Sequence, residues 1–121
     1  MAIYVPVYGV NEEQAKFFRG KSSEDVSEIE EETGVDPLDA LKDYGGLWFN
    51  CHNTPNYAMA RDNFRDRCFK RGVGYVYTVV DKAFLIEQID YTLADEPERY
   101  LDLKESIVLS SFTLFLIIYL P

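Results

Sequence analysis

The residue types that bind metal ions are scarce in this sequence. Cys51 and Cys68 are the only cysteines, and His52 is the only histidine. A zinc site takes about four ligands, and on a strand the His52 side chain would point away from that of Cys51. We therefore expect no metal site. Two thiols do not establish the redox compartment, and a disulfide between them requires that their elements pack together.

The densest group of charges is acidic and falls in one short segment. Carboxylates at helical spacing are typical of a solvated helix face, and their spacing alone does not make them catalytic. We interpret the segment as a surface helix whose apolar stripe is Val26 and Ile29. Its acidic residues are Glu24, Asp25, Glu28, Glu30, Glu31 and Glu32.

Three other features follow one another along the chain. An arginine comes after two aromatic residues in Phe17-Phe18-Arg19-Gly20. In the middle, Leu47-Trp48-Phe49 has the composition of a strand and leads through Asn50-Cys51-His52 into a helix. Near the end, an isolated glutamate stands in Lys104-Glu105-Ser106-Ile107-Val108-Leu109.

This order resembles the ADP-ribosyltransferases of the cholera and pertussis toxin type, whose pattern is an early Arg, a central strand-to-helix Ser-Thr-Ser segment and a late catalytic Glu. Phe18-Arg19-Gly20-Lys21-Ser22 is similar to the family's aromatic-Arg-x-Asp-Ser segment, and Ser110-Ser111-Phe112 to its small-small-apolar step. Asn50-Cys51-His52 departs from Ser-Thr-Ser. Leu103 stands where arginine-modifying members carry a second Glu or a Gln.

The resemblance implies an NAD-dependent mono-ADP-ribosyltransferase that modifies a target protein. The arginine, a planar fork of donors, would bind the diphosphate of NAD, and an aromatic ring would face the nicotinamide. Glu105 would be the catalytic residue, stabilising positive charge on the ribose as nicotinamide leaves. The residues implied to bind NAD are Arg19, Gly20, Trp48, Phe49 and Asn50. We expect Arg19, the segment 50–52 and Glu105 to converge on one cleft.

The same residues also have ordinary structural interpretations. Arg19 could end a capped helix that begins after Asn11, with Gly20 as its stop. Glu105 could lie in solvent, and Trp48-Phe49 could belong to the core. The alternative function is a non-catalytic acidic binding or inhibitor module that covers a basic protein surface with its glutamate-rich helix.

Composition limits the class of partner. The 121 residues carry a formal net charge of −9, which disfavours nucleic acid, while 47% apolar residues supply a core. The apolar run Ile107–Leu120 is interrupted by hydroxyl residues and is shorter than the about 20 residues that span a bilayer, so we expect two buried strands and no membrane contact. No secretory signal is recognisable at the N-terminus, and both a cytoplasmic protein and a secreted effector remain open.

Local signals in the N-terminal half predict one strand followed by helices. Pro6 places the strand Ile3–Tyr8 at a sheet edge. Four helix starts are predicted, at Asn11 with Gln14, at Ser22 or Ser23, at Asp36-Pro37 and at Thr54-Pro55. The helix that begins at Asp36-Pro37 is expected to run to Tyr44-Gly45-Gly46. The last helix is expected to bury one face, formed by Tyr57, Ala60, Phe64 and Cys68.

Strands are predicted to dominate the C-terminal half. Tyr75–Val80 has the strongest strand composition, Phe84–Ile89 is a second candidate, and Leu101, Leu103 and Glu105 would share one face of a third. Asp95–Glu98 is a polar loop. The sequence thus predicts one α+β domain over residues 1–121, with N-terminal helices and a mainly antiparallel split sheet. The resemblance implies an ADP-ribosyltransferase-like version of that fold.

Overall fold

The computed structural model describes residues 2–49, 54–72 and 74–121. Within these ranges it contains five α-helices, a short 3₁₀ helix (Pro37–Ala40) and six strands. The helices are α1 (Glu12–Phe18), α2 (Ser23–Thr33), α3 (Pro55–Arg67), α4 (Lys82–Leu93) and α5 (Pro97–Leu109). The strands are β1 (Ile3–Val10), β2 (Lys42–Phe49), β3 (Lys70–Arg71), β4 (Gly74–Tyr75), β5 (Thr78–Asp81) and β6 (Leu114–Ile117).

Four of the strands form one antiparallel sheet in the order β2-β1-β6-β5. The short strands β3 and β4 form a separate hairpin. The predicted α+β class and antiparallel sheet are therefore confirmed. The predicted division into N-terminal helices and C-terminal strands is wrong, since two long helices, α4 and α5, lie in the C-terminal half.

Both faces of the sheet are covered by helices. Along β6, Phe115 and Ile117 enter a core shared with α3, α4 and α5, whereas the alternate residues Leu116 and Ile118 pack with α1, α2 and the 3₁₀ helix. All four side chains are at most 1% exposed. Since successive residues of a strand point to opposite faces, α1 and α2 lie on one side of the sheet and α3, α4 and α5 on the other.

The N-terminal strand is central, which corrects the edge position predicted from Pro6. β1 pairs with β2 on one side and with β6 on the other. Residues Val7 to Val10 of β1 pair with β6, and Tyr4 pairs with Leu120, but the residues between Tyr4 and Val7 are not paired on this side. Pro6 lies in this interruption, where it has no N–H to donate. A proline is thus tolerated in a central strand because the ladder is open at that position.

The residues from Tyr44 to Gly46 continue β2 and do not end a helix as predicted. The 3₁₀ helix stops at Ala40, and β2 begins at Lys42. The register of the β1–β2 pair shifts by one residue near Gly45, which has φ +86° and forms a bulge. Only glycine adopts this conformation without strain. The segment Tyr44-Gly45-Gly46, which predicted the end of a helix, therefore contains a bulge inside a strand.

The predicted helix starts are confirmed where a side chain caps the helix. Asn11 and Gln14 form a capping box on α1, and Ser22 forms one with Asp25 on α2. Gly34 ends α2 in the left-handed conformation. Thr54 caps α3, whose buried face consists of Tyr57, Ala60 and Phe64, with the buried Cys68 following at its end.

The strands predicted in the C-terminal half need three corrections. The segment Phe84–Ile89 belongs to α4, which Asp81 caps through the Phe84 amide. Leu101, Leu103 and Glu105 belong to α5, and the closing run supplies the end of that helix and a single strand, β6. The segment Tyr75–Val80 is divided between β4 and β5.

We predict that Gly46→Ala destabilises the fold by about 1–3 kcal/mol, because Gly46 packs directly against β1. An added Cβ would meet the Val5 carbonyl oxygen and lie 2.9 Å from the Pro6 Cα, and backbone atoms cannot move aside cheaply. Urea denaturation measures the loss. Gly74→Ala is the matched control, since nothing lies within 4 Å of its added Cβ. Equal stability of the two variants would contradict the packing described here.

Candidate functional site

The structure places Arg19 at the end of α1, as the structural interpretation predicts. Its amide donates to the Ala15 carbonyl and caps the helix, and its side chain is exposed. Gly20 follows with φ +81°, and its amide donates to the Tyr77 carbonyl. Both residues therefore connect α1 to the segment before β5.

Glu105 lies on the opposite side of the sheet from Arg19. It is on the exposed surface of α5, whose buried face carries Tyr100 and Ile107. Because α1 and α5 cover different faces of the sheet, the structure does not bring Arg19 and Glu105 together. The expected convergence of these two residues is wrong. Asn50, Cys51 and His52 lie outside the described residues.

Trp48 and Phe49 are successive residues of β2 and therefore point to opposite faces. Phe49 is 1% exposed and packs against Tyr57 and Phe64, with ring centroids 6.0 Å away in each case. Trp48 is 45% exposed, and its ring lies 4.5 Å from that of Tyr4. Of the two predicted aromatic residues, only Trp48 is available to a ligand.

The backbone of Trp48 is held by a tyrosine from α5. The Tyr100 hydroxyl accepts a hydrogen bond from the Trp48 amide at 3.1 Å and donates one to the Trp48 carbonyl at 2.9 Å. These are backbone groups of β2, an edge strand of the sheet. The contact fixes the position of Trp48 and satisfies the backbone groups of the edge strand at that residue.

The largest feature with functional potential is the acidic side of the molecule. Residues 11–43 contain eleven acidic and four basic residues, a formal charge of −7 out of the total of −9. Among the described residues, the only salt bridge that a carboxylate of this segment makes joins Asp25 to Arg71. We call its exposed carboxylates on α1, α2 and the 3₁₀ helix the acidic surface: Glu12, Glu13, Glu24, Glu28, Glu30, Glu31, Glu32 and Asp39.

The charges of α2 are partly unfavourable to the helix itself. Glu24, Glu28 and Glu32 are spaced four residues apart, so each repels the next on one side of the helix. Glu30, Glu31 and Glu32 occupy the last turn, which contains no basic residue and carries the negative end of the helix dipole. Folding therefore gains nothing from the carboxylates at this end.

The basic side chains, in contrast, are largely used within the fold. Residues 54–72 and 74–75 contain five basic and two acidic residues. Arg67 lies 4.2 Å from the Phe84 ring centroid, and Lys70 lies 5.5 Å from that of Tyr75. Arg71 also donates to the Gly20 carbonyl, which ties the hairpin β3–β4 to the start of α2. The basic residues are thus concentrated around α3 and the hairpin, whereas residues 76–121 are again acidic, with eight acidic and three basic residues.

A polar cluster joins the start of α3 to the turn between α4 and α5. The Asp95 carboxylate accepts from the Thr54 hydroxyl at 2.5 Å and from the Asn56 amide at 3.4 Å, and Tyr57 donates to Glu96. Burial, followed by the hydrogen bond to Glu96, raises the pKa of Tyr57. These groups bond to one another across two elements, and we interpret the cluster as a structural connection.

Clusters of metal-ligating side chains and membrane-spanning helices are both absent from the part of the chain that the structure describes. Residues 2–49, 54–72 and 74–121 contain no group of three or more metal-ligating side chains, and Cys68 is buried as a free thiol. None of the helices in those ranges is long and apolar enough to cross a membrane. No protein-family model, curated protein or solved structure matches this chain.

We predict that Glu32→Gln stabilises the protein by roughly 0.3–1 kcal/mol, because it removes repulsion from Glu28 and an unfavourable charge at the end of α2. The free energy of unfolding in urea at low salt measures the gain. The matched control is Glu24→Gln, where the lost charge lies in the favourable first turn. An equal gain in both variants would show that the position along α2 does not matter.

Proposed function

We propose that this protein is a non-catalytic acidic module that binds a basic surface of another protein. The observation that carries this proposal is the acidic surface, whose glutamates on α2 make no ion pair within the described residues. They repel one another and include a last turn where negative charge is unfavourable. A basic partner would supply the cations that the fold itself does not provide.

The charge distribution also suits the way such partners meet. A field of one sign over one side of a protein attracts an oppositely charged partner and raises the association rate. Attraction between exposed charges extends over about 8 Å at physiological ionic strength and weakens as salt is added. The hairpin β3–β4 adjoins the start of α2, where Arg71 contacts Asp25, so the acidic surface extends from there toward the end of α2 and orients the approach.

The ADP-ribosyltransferase-like fold and NAD-dependent transfer to a target protein are the competing proposal. The order of the three sequence motifs supports it. The positions of Arg19 and Glu105 do not, because a group that binds the NAD diphosphate and a group that stabilises the adjacent ribose must face the same cleft. A transferase built on this chain would need another pair of residues.

We predict that millimolar NAD leaves the melting temperature unchanged. A ligand present at about 100 times its Kd stabilises the folded state by about 2.7 kcal/mol, which thermal denaturation detects easily. A rise in melting temperature that Arg19→Ala abolishes would restore the transferase proposal. Turnover of labelled NAD by the wild type, reduced about 100-fold in Glu105→Gln, would also restore the transferase proposal.

The proposed binding is tested with a basic peptide. We expect an (Arg-Gly)₅ peptide to bind at low salt, with a Kd that rises as salt is added, and a (Glu-Gly)₅ peptide not to bind. The triple variant Glu28→Gln, Glu31→Gln and Glu32→Gln should raise Kd by about 5-fold or more, a loss of roughly 1 kcal/mol. Isothermal titration calorimetry measures each Kd.

The matched control removes three charges from the other side of the molecule. Glu98, Asp102 and Glu105 are exposed on α5 and are changed to Gln, Asn and Gln. This variant has the same net charge as the α2 variant and should bind the peptide nearly as well as the wild type. If both variants lose affinity equally, only net charge matters and the proposed surface is wrong. Failure of the wild type to bind at low salt would end the proposal.

A further inference from the structure

One end of the sheet face under α1 and α2 is left uncovered. Three cross-strand pairs of β1 and β2 lead to it: Tyr4 opposite Trp48, Pro6 opposite Gly46, and Tyr8 opposite Asp43. Pro6 is buried and Tyr8 packs against the core under α1 and α2, so the open end is at Tyr4 and Trp48. Directly opposite residues of an antiparallel pair point to the same face. We call these six residues the aromatic face. Trp48 and the neighbouring Leu120 are 45% and 36% exposed, which marks the part that no helix covers.

The aromatic face is preorganised by close packing. The Tyr4 and Trp48 rings lie 4.5 Å apart at an angle of 31°. Gly46 makes this arrangement fit, since a Cβ there would lie 2.8 Å from a carbon of the Tyr4 ring. Tyr100 fixes the Trp48 backbone from the other side. An incoming side chain would therefore meet rings that are already in place.

Carboxylates lie beside the rings. Burial and then the charge of Asp43 raise the pKa of Tyr4, and the same two causes come first for Tyr8, to which Asp36 and Asp39 contribute as well. Asp43 itself is exposed, and its carboxylate accepts one hydrogen bond, at 2.7 Å, from the Gly45 amide. Among the described residues this is the one hydrogen bond that the Asp43 carboxylate accepts, so its other acceptor positions are open to a ligand.

We propose that the aromatic face is where the basic partner docks, with one of its arginine side chains stacked on Trp48 and Tyr4 and hydrogen-bonded to Asp43. Arginine fits better than lysine because its planar guanidinium stacks on an aromatic ring and binds a carboxylate through two parallel hydrogen bonds. This inference rests on the proposed function, since it assigns the contact site of the same partner. The acidic surface attracts the partner, and the aromatic face specifies the residue bound.

Phe69 and Leu109 are also exposed but lack this combination. Phe69 is 61% exposed, but it precedes Lys70 and Arg71, which would repel a basic partner. Leu109 is 84% exposed at the end of α5, but its aliphatic side chain offers no ring on which a guanidinium could stack. Both residues serve as controls.

The experiment uses the fluorescence of Trp48, which is the only tryptophan of the chain. Titration with (Arg-Gly)₅ should change its emission, with the same Kd that calorimetry gives. Trp48→Ala should weaken binding by about 5-fold or more and Trp48→Phe by less, because phenylalanine keeps a smaller ring. Asp43→Asn should weaken binding, Phe69→Ala and Leu109→Ala should not, and (Lys-Gly)₅ should bind less tightly than (Arg-Gly)₅.

The outcomes separate this inference from the proposed function. The aromatic face is overturned if peptide binding leaves Trp48 emission unchanged and if Trp48→Phe and Asp43→Asn bind with wild-type affinity. If the α2 triple variant still weakens binding in that case, the proposed function stays intact. Absence of any binding by the wild type overturns both. Melting temperatures of all variants are recorded, and Trp48→Phe and Asp43→Asn retain the test if Trp48→Ala does not fold.

Discussion

The structure depends on a central strand that is buried on both faces. Val5 and Val7 of β1 are 0% exposed in the core under α3, α4 and α5, while Val10 is 2% exposed in the core under α1 and α2. A strand of this kind requires a layer of helices on each side. In 121 residues the second layer is thin, consisting of two short helices and a 3₁₀ helix, and it leaves the end near Trp48 without cover.

In the described part of the chain, each edge of the sheet is hydrogen-bonded at one position to a neighbouring element. On β2, the Tyr100 hydroxyl is hydrogen-bonded to the amide and the carbonyl of Trp48. Beside β5, the Tyr77 amide and carbonyl pair with Lys21 and Gly20 of the segment between α1 and α2. Hydrogen-bonded edge positions are closed to a strand of another molecule. At these positions a partner is expected to contact side chains and not to add a strand.

The sequence predicted the parts of the fold that are determined locally. Side-chain caps identified α1, α2 and α3, because the cap residue bonds to an amide only two or three positions away. Helices α4 and α5 resemble strands in sequence, since Phe84-Leu85-Ile86 is a short apolar run and Leu101 and Leu103 alternate with polar residues. Only Asp81 and Pro97 mark the starts of these helices. The acidic helix was predictable for the same local reason. The separation of Arg19 from Glu105 was not, because the order of motifs does not tell which face of the sheet a helix covers.

Because β2 contains a bulge at Gly45, the number of residues between the bulge and Trp48 determines the face of the sheet to which Trp48 points. Because side chains alternate along a strand, the extra residue puts the two halves of β2 out of phase with each other. Tyr44 can thereby face the core near Phe115 while Trp48, four positions later, faces the other side. Loss of Gly45 would leave Tyr44 and Trp48 three positions apart in a regular strand, with each side chain still on its present face. Loss of a residue between the bulge and Trp48, with the bulge kept, would instead turn Trp48 toward the core without any substitution.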